Sequence, residues 1–191
     1  MLRSFIAIEV PTELQDAMDK STAELKKELA RPLIRWVPPH NVHLTMKFLG
    51  DVSPANLELL AQALKVEAGQ HASFLLSIGG LGVFPNQRRP RVVWIGIEAP
   101  TALQVLHHGI EAVATRLGYE TENRPFSPHL TIGRVNQNAS AAEVQQIRAA
   151  LEQTSVGTLG TVAVEAVHIF KSDLQPGGAV YTHLYTYAFG K

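Results

Sequence analysis

Two stretches of the chain set a histidine and a threonine two residues apart: His43-Leu44-Thr45-Met46 and His129-Leu130-Thr131-Ile132. An imidazole changes charge near neutral pH, so a pair can hold one neutral and one protonated ring. Those are the two states that general base and general acid require. The two hydroxyls can donate hydrogen bonds to phosphate oxygens as negative charge builds on them. Displacement at phosphorus places base and acid on opposite sides of the reacting atom, an arrangement that two copies of one motif facing across a cleft would supply. Metal binding is the competing use of paired histidines, but neither stretch carries a nearby carboxylate or cysteine to complete a ligand set. No metal and no cofactor are therefore expected. There is no glycine-rich phosphate loop with its lysine and no Gly-x-Ser-x-Gly elbow.

Such side chains need rigid elements behind them. Both motifs alternate apolar and polar residues, the pattern of a strand with one buried face. Residues i and i+2 of a strand share a face, so His43 with Thr45, and His129 with Thr131, point away from the buried Leu44/Met46 and Leu130/Ile132. By the same alternation Lys47 joins the His43 face. Arg134 falls opposite His129 unless a bulge at Gly133 re-aims it.

In chain order the pattern predicts a strand from Phe5 to Val10 and a helix opened by Thr12 and running to about Ala30. An extended Arg35-Trp36-Val37 and the stiff Pro38-Pro39 lead into the first motif strand, His43 to Leu49, ended by Gly50. Ser53-Pro54 caps a second helix, and Phe74 to Val83 is a strand. After a connection at Pro85–Pro90 comes the strand Arg91–Glu98, then a third helix from Thr101 to Gly118. The second motif strand runs from His129 to Val135, and Asn138 or Ser140 opens a fourth helix. Thr161–Phe170 reads as one strand, followed by a Gly177-Gly178 turn and a last strand near Val180–Tyr187.

Strand, helix, motif strand, helix and strand thus recur in both halves. This predicts an internally duplicated α/β (α+β) domain over 1–191, with pseudo-symmetric halves of about 1–85 and 86–191. Two mostly antiparallel sheets would flank a central cleft, with helices outside.

The 191 residues carry 17 Lys and Arg against 17 Asp and Glu, so net charge does not advertise a nucleic-acid partner. Windows 29–50, 68–97 and 123–142 nevertheless hold no acid at all, while containing Arg31, Arg35, Lys47, Arg88, Arg89, Arg91, Arg124 and Arg134. Buried strands exclude charge anyway, and a positive cleft for an anion is the functional alternative. The absence of cysteine removes disulfides, thiolate ligands and a cysteine nucleophile. No apolar run approaches the ~18 residues of a membrane span. A cytoplasmic monomer with no membrane contact and no obligate protein partner is the expectation.

Arg35-Trp36-Val37-Pro38, His43 to Gly50, Pro128-His129-Leu130-Thr131-Ile132-Gly133-Arg134 and Phe170-Lys171-Ser172 resemble the two-histidine phosphoesterase superfamily. Within it they are most similar to the RNA 2′,3′-cyclic phosphodiesterases, also called 2′-5′ RNA ligases. Phe5-Ile6-Ala7-Ile8 and the Gly177–Tyr181 region fit as well, so the likeness spans nearly the whole chain; Met46 stands where an aliphatic such as Leu is commoner. The resemblance implies metal-independent opening of an RNA-terminal 2′,3′-cyclic phosphate to a 2′-phosphomonoester. His129 would be the base, His43 the acid, and Thr45 and Thr131 would hold the phosphate with Arg134 near it. An RNA 5′-hydroxyl in place of water would give a 2′-5′ linkage. Lys47 at the cleft rim and Phe5, Trp36 or Phe126 as base-stacking rings are further candidates. His107-His108 should be solvated, and His40, His71, His168 and His183 have no motif context. A phosphodiesterase for small cyclic nucleotides and a non-catalytic RNA-end binding protein are the competing functions.

Overall fold

The computed structural model describes residues 1–176 and 178–190. Gly177, read above as part of a turn, lies outside the described residues. In chain order the elements are β1 (Leu2–Glu9), α1 (Thr12–Ser21), α2 (Ala23–Glu28), β2 (Ile34–Trp36), β3 (His43–Val52), α3 (Pro54–Ala68) and β4 (Phe74–Phe84). There follow β5 (Val92–Glu98), α4 (Thr101–Arg116), β6 (His129–Val135), α5 (Ala141–Gln153), β7 (Thr158–Val164), β8 (Ala166–Gln175) and β9 (Gly178–Ala188). Among the described residues, no helix is long and apolar enough to cross a membrane.

The strands lie in the order β7-β4-β5-β6-β3-β1-β8-β9, with β2 added on β6. Every adjacent pair is antiparallel. The two sides of this path, β7-β4-β5-β6 and β3-β1-β8-β9, meet at a single residue pair, Leu44 with Leu130. The antiparallel pairing is as expected, but the strands form one nine-stranded curled sheet and not two separate ones, its two sides joined at the centres of the two motifs. A boundary near residue 85 does not separate these sides. β4 crosses to pair with β5, while β8 returns to pair with β1.

Helices α1 to α5 all contribute to one continuous core, in which Leu14, Leu25, Leu60, Leu64, Leu106, Ile110 and Ile147 join Leu44, Met46, Leu130 and Ile132. Each such side chain removed from water contributes about 1.5–3 kcal/mol. Two helix starts are fixed by side chains. Ser53 Oγ accepts from the Asn56 amide at 3.2 Å. Ser140 forms a reciprocal box with Glu143, its amide donating to that carboxylate at 2.7 Å.

Some elements depart from the sequence reading. The first helix breaks at Thr22, whose buried hydroxyl donates to the Met18 carbonyl at 2.8 Å and competes with the backbone there. β3 continues past Gly50 to Val52. The stretch read as one strand, Thr161–Phe170, is two: β7 pairs with β4 and β8 with β1, so the chain changes sides at Glu165. Two consecutive apolar strands give no alternation break by which to see this.

Candidate active site

The motif strands run antiparallel, and the Leu44–Leu130 pair fixes their register. Antiparallel strands crossing at that pair bring His43 to the Thr131 side of it and Thr45 to the His129 side, so the two histidines lie diagonally across the crossing. All four side chains leave the face opposite the helices, since Leu44 and Leu130 are buried while their neighbours are half-buried.

Each imidazole is oriented in the same way. His43 Nδ1 lies 2.8 Å from the Asn41 carbonyl, and His129 Nδ1 lies 2.7 Å from the Ser127 carbonyl, in both cases two residues upstream. A carbonyl only accepts, so Nδ1 carries the proton and Nε2 is left for chemistry. Asn41 is itself tethered, its side-chain amide donating to the Ala179 carbonyl at 2.9 Å. Phe5 stacks on His43 with ring centroids 4.7 Å apart, and Tyr181 meets it edge-on at 5.2 Å. His129 takes Phe84 edge-on at 4.8 Å. Burial lowers the His43 pKa to about 4, although the bond to the Asn41 carbonyl opposes the shift.

The sequence model of the family described as LigT like phosphoesterase matches residues 8–94 and 95–181. The chain belongs to this family. It is 32% identical over 183 residues to the RNA 2′,3′-cyclic phosphodiesterase of Methanothermobacter thermautotrophicus, covering 96% of each chain. The solved Thermus thermophilus protein TT0787 superposes with a TM-score of 0.79 at 28% identity, over 98% of this chain and 97% of that one. Escherichia coli LigT complexed with 3′-AMP gives 0.75 at 28% identity, over 100% and 99%.

In this LigT like phosphoesterase the two motif strands share a device that alternation does not foresee. The pairing of β1 with β3 skips Met46, and that of β5 with β6 skips Ile132, so each motif carries a bulge at its fourth residue. The burial sequence over the seven residues from each histidine is accordingly the same. The bulge moves the next two residues of each strand to the other face, and in β3 the pairing with β1 skips Leu49 as well.

Arg134 is thereby exposed beside its cross-strand partner Arg35. The bulge falls at Ile132, not Gly133. Gly133 is small for a different reason: a Cβ there would lie 2.8 Å from the Trp36 ring. Phe48 occupies the place equivalent to Arg134, 66% exposed and directly across from Phe5. No local signal marked Phe48, because its face depends on the bulge.

Lys47 is a correction. The bulge turns it away from the histidine face into the core, where Nζ sits 2.9 Å from the Glu111 carboxylate and donates to the Glu120 carbonyl at 2.6 Å. Phe5 is another. Only 2% exposed, and packed by Phe170 at 5.3 Å and Tyr181 at 5.0 Å as well as His43, it positions that imidazole and offers no face to a base. Trp36 donates Nε1–H to the Leu29 carbonyl at 3.0 Å, and Phe126 stacks on His107 at 3.9 Å, so neither is an open platform in the cleft. His107 is packed rather than solvated, 3.9 Å from Glu111.

Burial raises the pKa of Tyr181, and the positive charges of Arg134, Arg3 and Arg35 oppose that shift. Arg3 shares the Phe5 face by alternation.

Proposed function

We propose that the protein opens the 2′,3′-cyclic phosphate at an RNA end, giving a 2′-phosphomonoester, with His129 as base and His43 as acid. One observation carries this reading. The motif strands cross antiparallel at Leu44 and Leu130, and both imidazoles are anchored through Nδ1, so two free Nε2 atoms and two hydroxyls share one face.

His129 Nε2 takes a proton from water as its oxygen bonds to phosphorus. The bond from phosphorus to O3′ breaks, and His43 Nε2 delivers its proton to O3′. Thr45 and Thr131 donate to the non-bridging oxygens, where preorganised donors lower the barrier most. Each acid–base group contributes about 10²–10⁴-fold. No metal ion takes part in this scheme. With an RNA 5′-hydroxyl as the nucleophile, the same transfers form a 2′-5′ linkage.

Arg3, Arg35 and Arg134 together with the exposed Phe48 favour an RNA end over a lone small cyclic nucleotide. They extend the cationic and stacking surface beyond a single phosphate. The name of the Methanothermobacter relative points the same way.

The test is hydrolysis, in excess chelator, of a short RNA ending in a 2′,3′-cyclic phosphate, with the position of the product phosphate identified. Formation of a 2′-phosphate, lost in both His43→Ala and His129→Ala while each variant stays folded, is the expected result. Turnover that needs added metal, or that survives in either single variant, overturns the acid–base pair.

A further inference from the structure

A second group of histidines lies in the same cleft but outside the reacting pair. Glu9 ends β1, His168 lies on β8 opposite Ala7, and His183 lies on β9 opposite Phe170. The pairing of β8 with β9 skips Leu184, and this bulge brings His183 and Thr186 to one face with His168. His168 Nδ1 is 2.8 Å from His183 Nε2, and the Thr186 hydroxyl is 3.2 Å and 3.1 Å from those two atoms. A Glu9 carboxylate oxygen is 3.8 Å from His168 Nε2. One donor atom from each of Glu9, His168 and His183 can be chosen so that all lie within 4.8 Å of one another.

The rings are held firmly. His168 is 8% exposed, and His183 stacks on Phe170 with centroids 4.8 Å apart and planes at 17°. The cluster opens into a cavity of about 630 Å³ that also reaches Gln15, His40, His43 and Tyr181, so an ion has a path from solvent.

Two ring nitrogens 2.8 Å apart cannot both present lone pairs to each other. Either a proton sits between them or a cation takes both. Two imidazoles and a carboxylate form the donor set that suits zinc and its borderline neighbours, and not magnesium or calcium, which prefer oxygen. Zinc–ligand bonds of ~2.0–2.1 Å in tetrahedral geometry place neighbouring donors about 3.3 Å apart. The rings would open by only about half an ångström, and the exposed Glu9 carboxylate, now beside the other nitrogen of His168, would swing around the edge of that ring to meet the ion. Thr186 or water fills the fourth position.

We propose that Glu9, His168 and His183 form a binding site for a zinc-class divalent cation that ties β1, β8 and β9 together at the outer side of the cleft. The site is separate from the acid–base chemistry and takes no part in it. The three ligands come from three strands. A bound ion therefore cross-links the last hairpin to the sheet, and stability should rise by mass action.

Calorimetric titration of chelator-treated protein with Zn²⁺ tests this, alongside thermal unfolding with and without the ion. One ion should bind at this site, and a hundredfold excess over Kd should raise Tm by about 5–10 °C. His183→Ala should abolish that binding event and the Tm rise, and the isosteric Glu9→Gln should weaken it at least tenfold. His71→Ala, which removes a histidine paired with Glu67 at 2.8 Å elsewhere in the fold, should leave the binding event and the ion-dependent Tm rise as in the parent. His183→Gln, polar and on an exposed strand, provides a second variant if the alanine protein is poorly folded. Absence of a binding event overturns the proposal. So does a stoichiometry and Tm shift that persist in folded His183→Ala or His183→Gln. Neither readout involves turnover, so the result stands or falls independently of the proposed reaction.

Discussion

A negatively charged ligand in the cleft should raise the His43 pKa by several units. With the cleft empty, burial holds this imidazole at about 4, so only about one molecule in a thousand carries the acid's proton at pH 7. A single negative charge about 4 Å from the ring, at an effective dielectric of about 20, favours the imidazolium by about 4 kcal/mol. At 1.36 kcal/mol per unit this is a rise of about 3 units, which returns His43 to the neutral range where an acid is useful. Binding of the phosphate would thus itself arm the group proposed to protonate the leaving oxygen.

The assay is a pH titration of the His43 ring by NMR, with the resonance assigned by its loss in His43→Ala. The ligand is a 2′-deoxy dinucleotide, whose diester keeps one negative charge and has no 2′-hydroxyl with which to react. A neutral methylphosphonate analogue should fill the cleft without raising the pKa, because it desolvates without adding charge. If the diester saturates the cleft and His43 still titrates near 4, the phosphate does not lie against His43 and the acid assignment fails.

The same buried imidazole makes stability depend on pH. The folded pKa lies below the unfolded value of 6.5, so its contribution is complete above pH 6.5 and is lost as pH falls towards 4; it amounts to about 3 kcal/mol. Urea midpoints at pH 7.5 and 4.5 should differ less in His43→Leu than in the parent, while the depressed His107 and His168 keep acting in the same sense in both. Lys47→Met should cost roughly 3 kcal/mol in urea unfolding, because it leaves the nearly buried Glu111 carboxylate without its ammonium partner; a KM raised more than stability is lowered would return Lys47 to the substrate. Arg134→Ala should lower kcat/KM for RNA by about ten- to a hundredfold and flatten its salt dependence, as expected for loss of a charge-assisted contact to phosphate. Phe48→Ala should raise KM for an oligonucleotide by about five- to a hundredfold through lost stacking, and an equal effect on a cyclic mononucleotide would place the ring at the first base rather than beyond it.

The candidate acid–base groups were legible in the chain because their arrangement is local. His-Leu-Thr in a strand places imidazole and hydroxyl on one face whatever surrounds it, and its recurrence marks two such faces. Ser53 and Ser140 announce their helices for the same reason, since a cap is made within one turn. Lys47, Arg134, Phe48 and His183 could not be assigned to a face in this way. Each lies within two residues of a bulge, and a bulge is set by the pairing of a strand with its neighbour, not by the strand's own residues. Phe5 looked free because its covering rings, Phe170 and Tyr181, come from β8 and β9 at the far end of the chain. The depressed pKa of His43 and the approach of His168 to His183 have the same origin. Sequence alone determined which side chains are the candidates for acid–base chemistry, because a two-residue spacing in a strand is local; cross-strand register decided which other side chains stand around them.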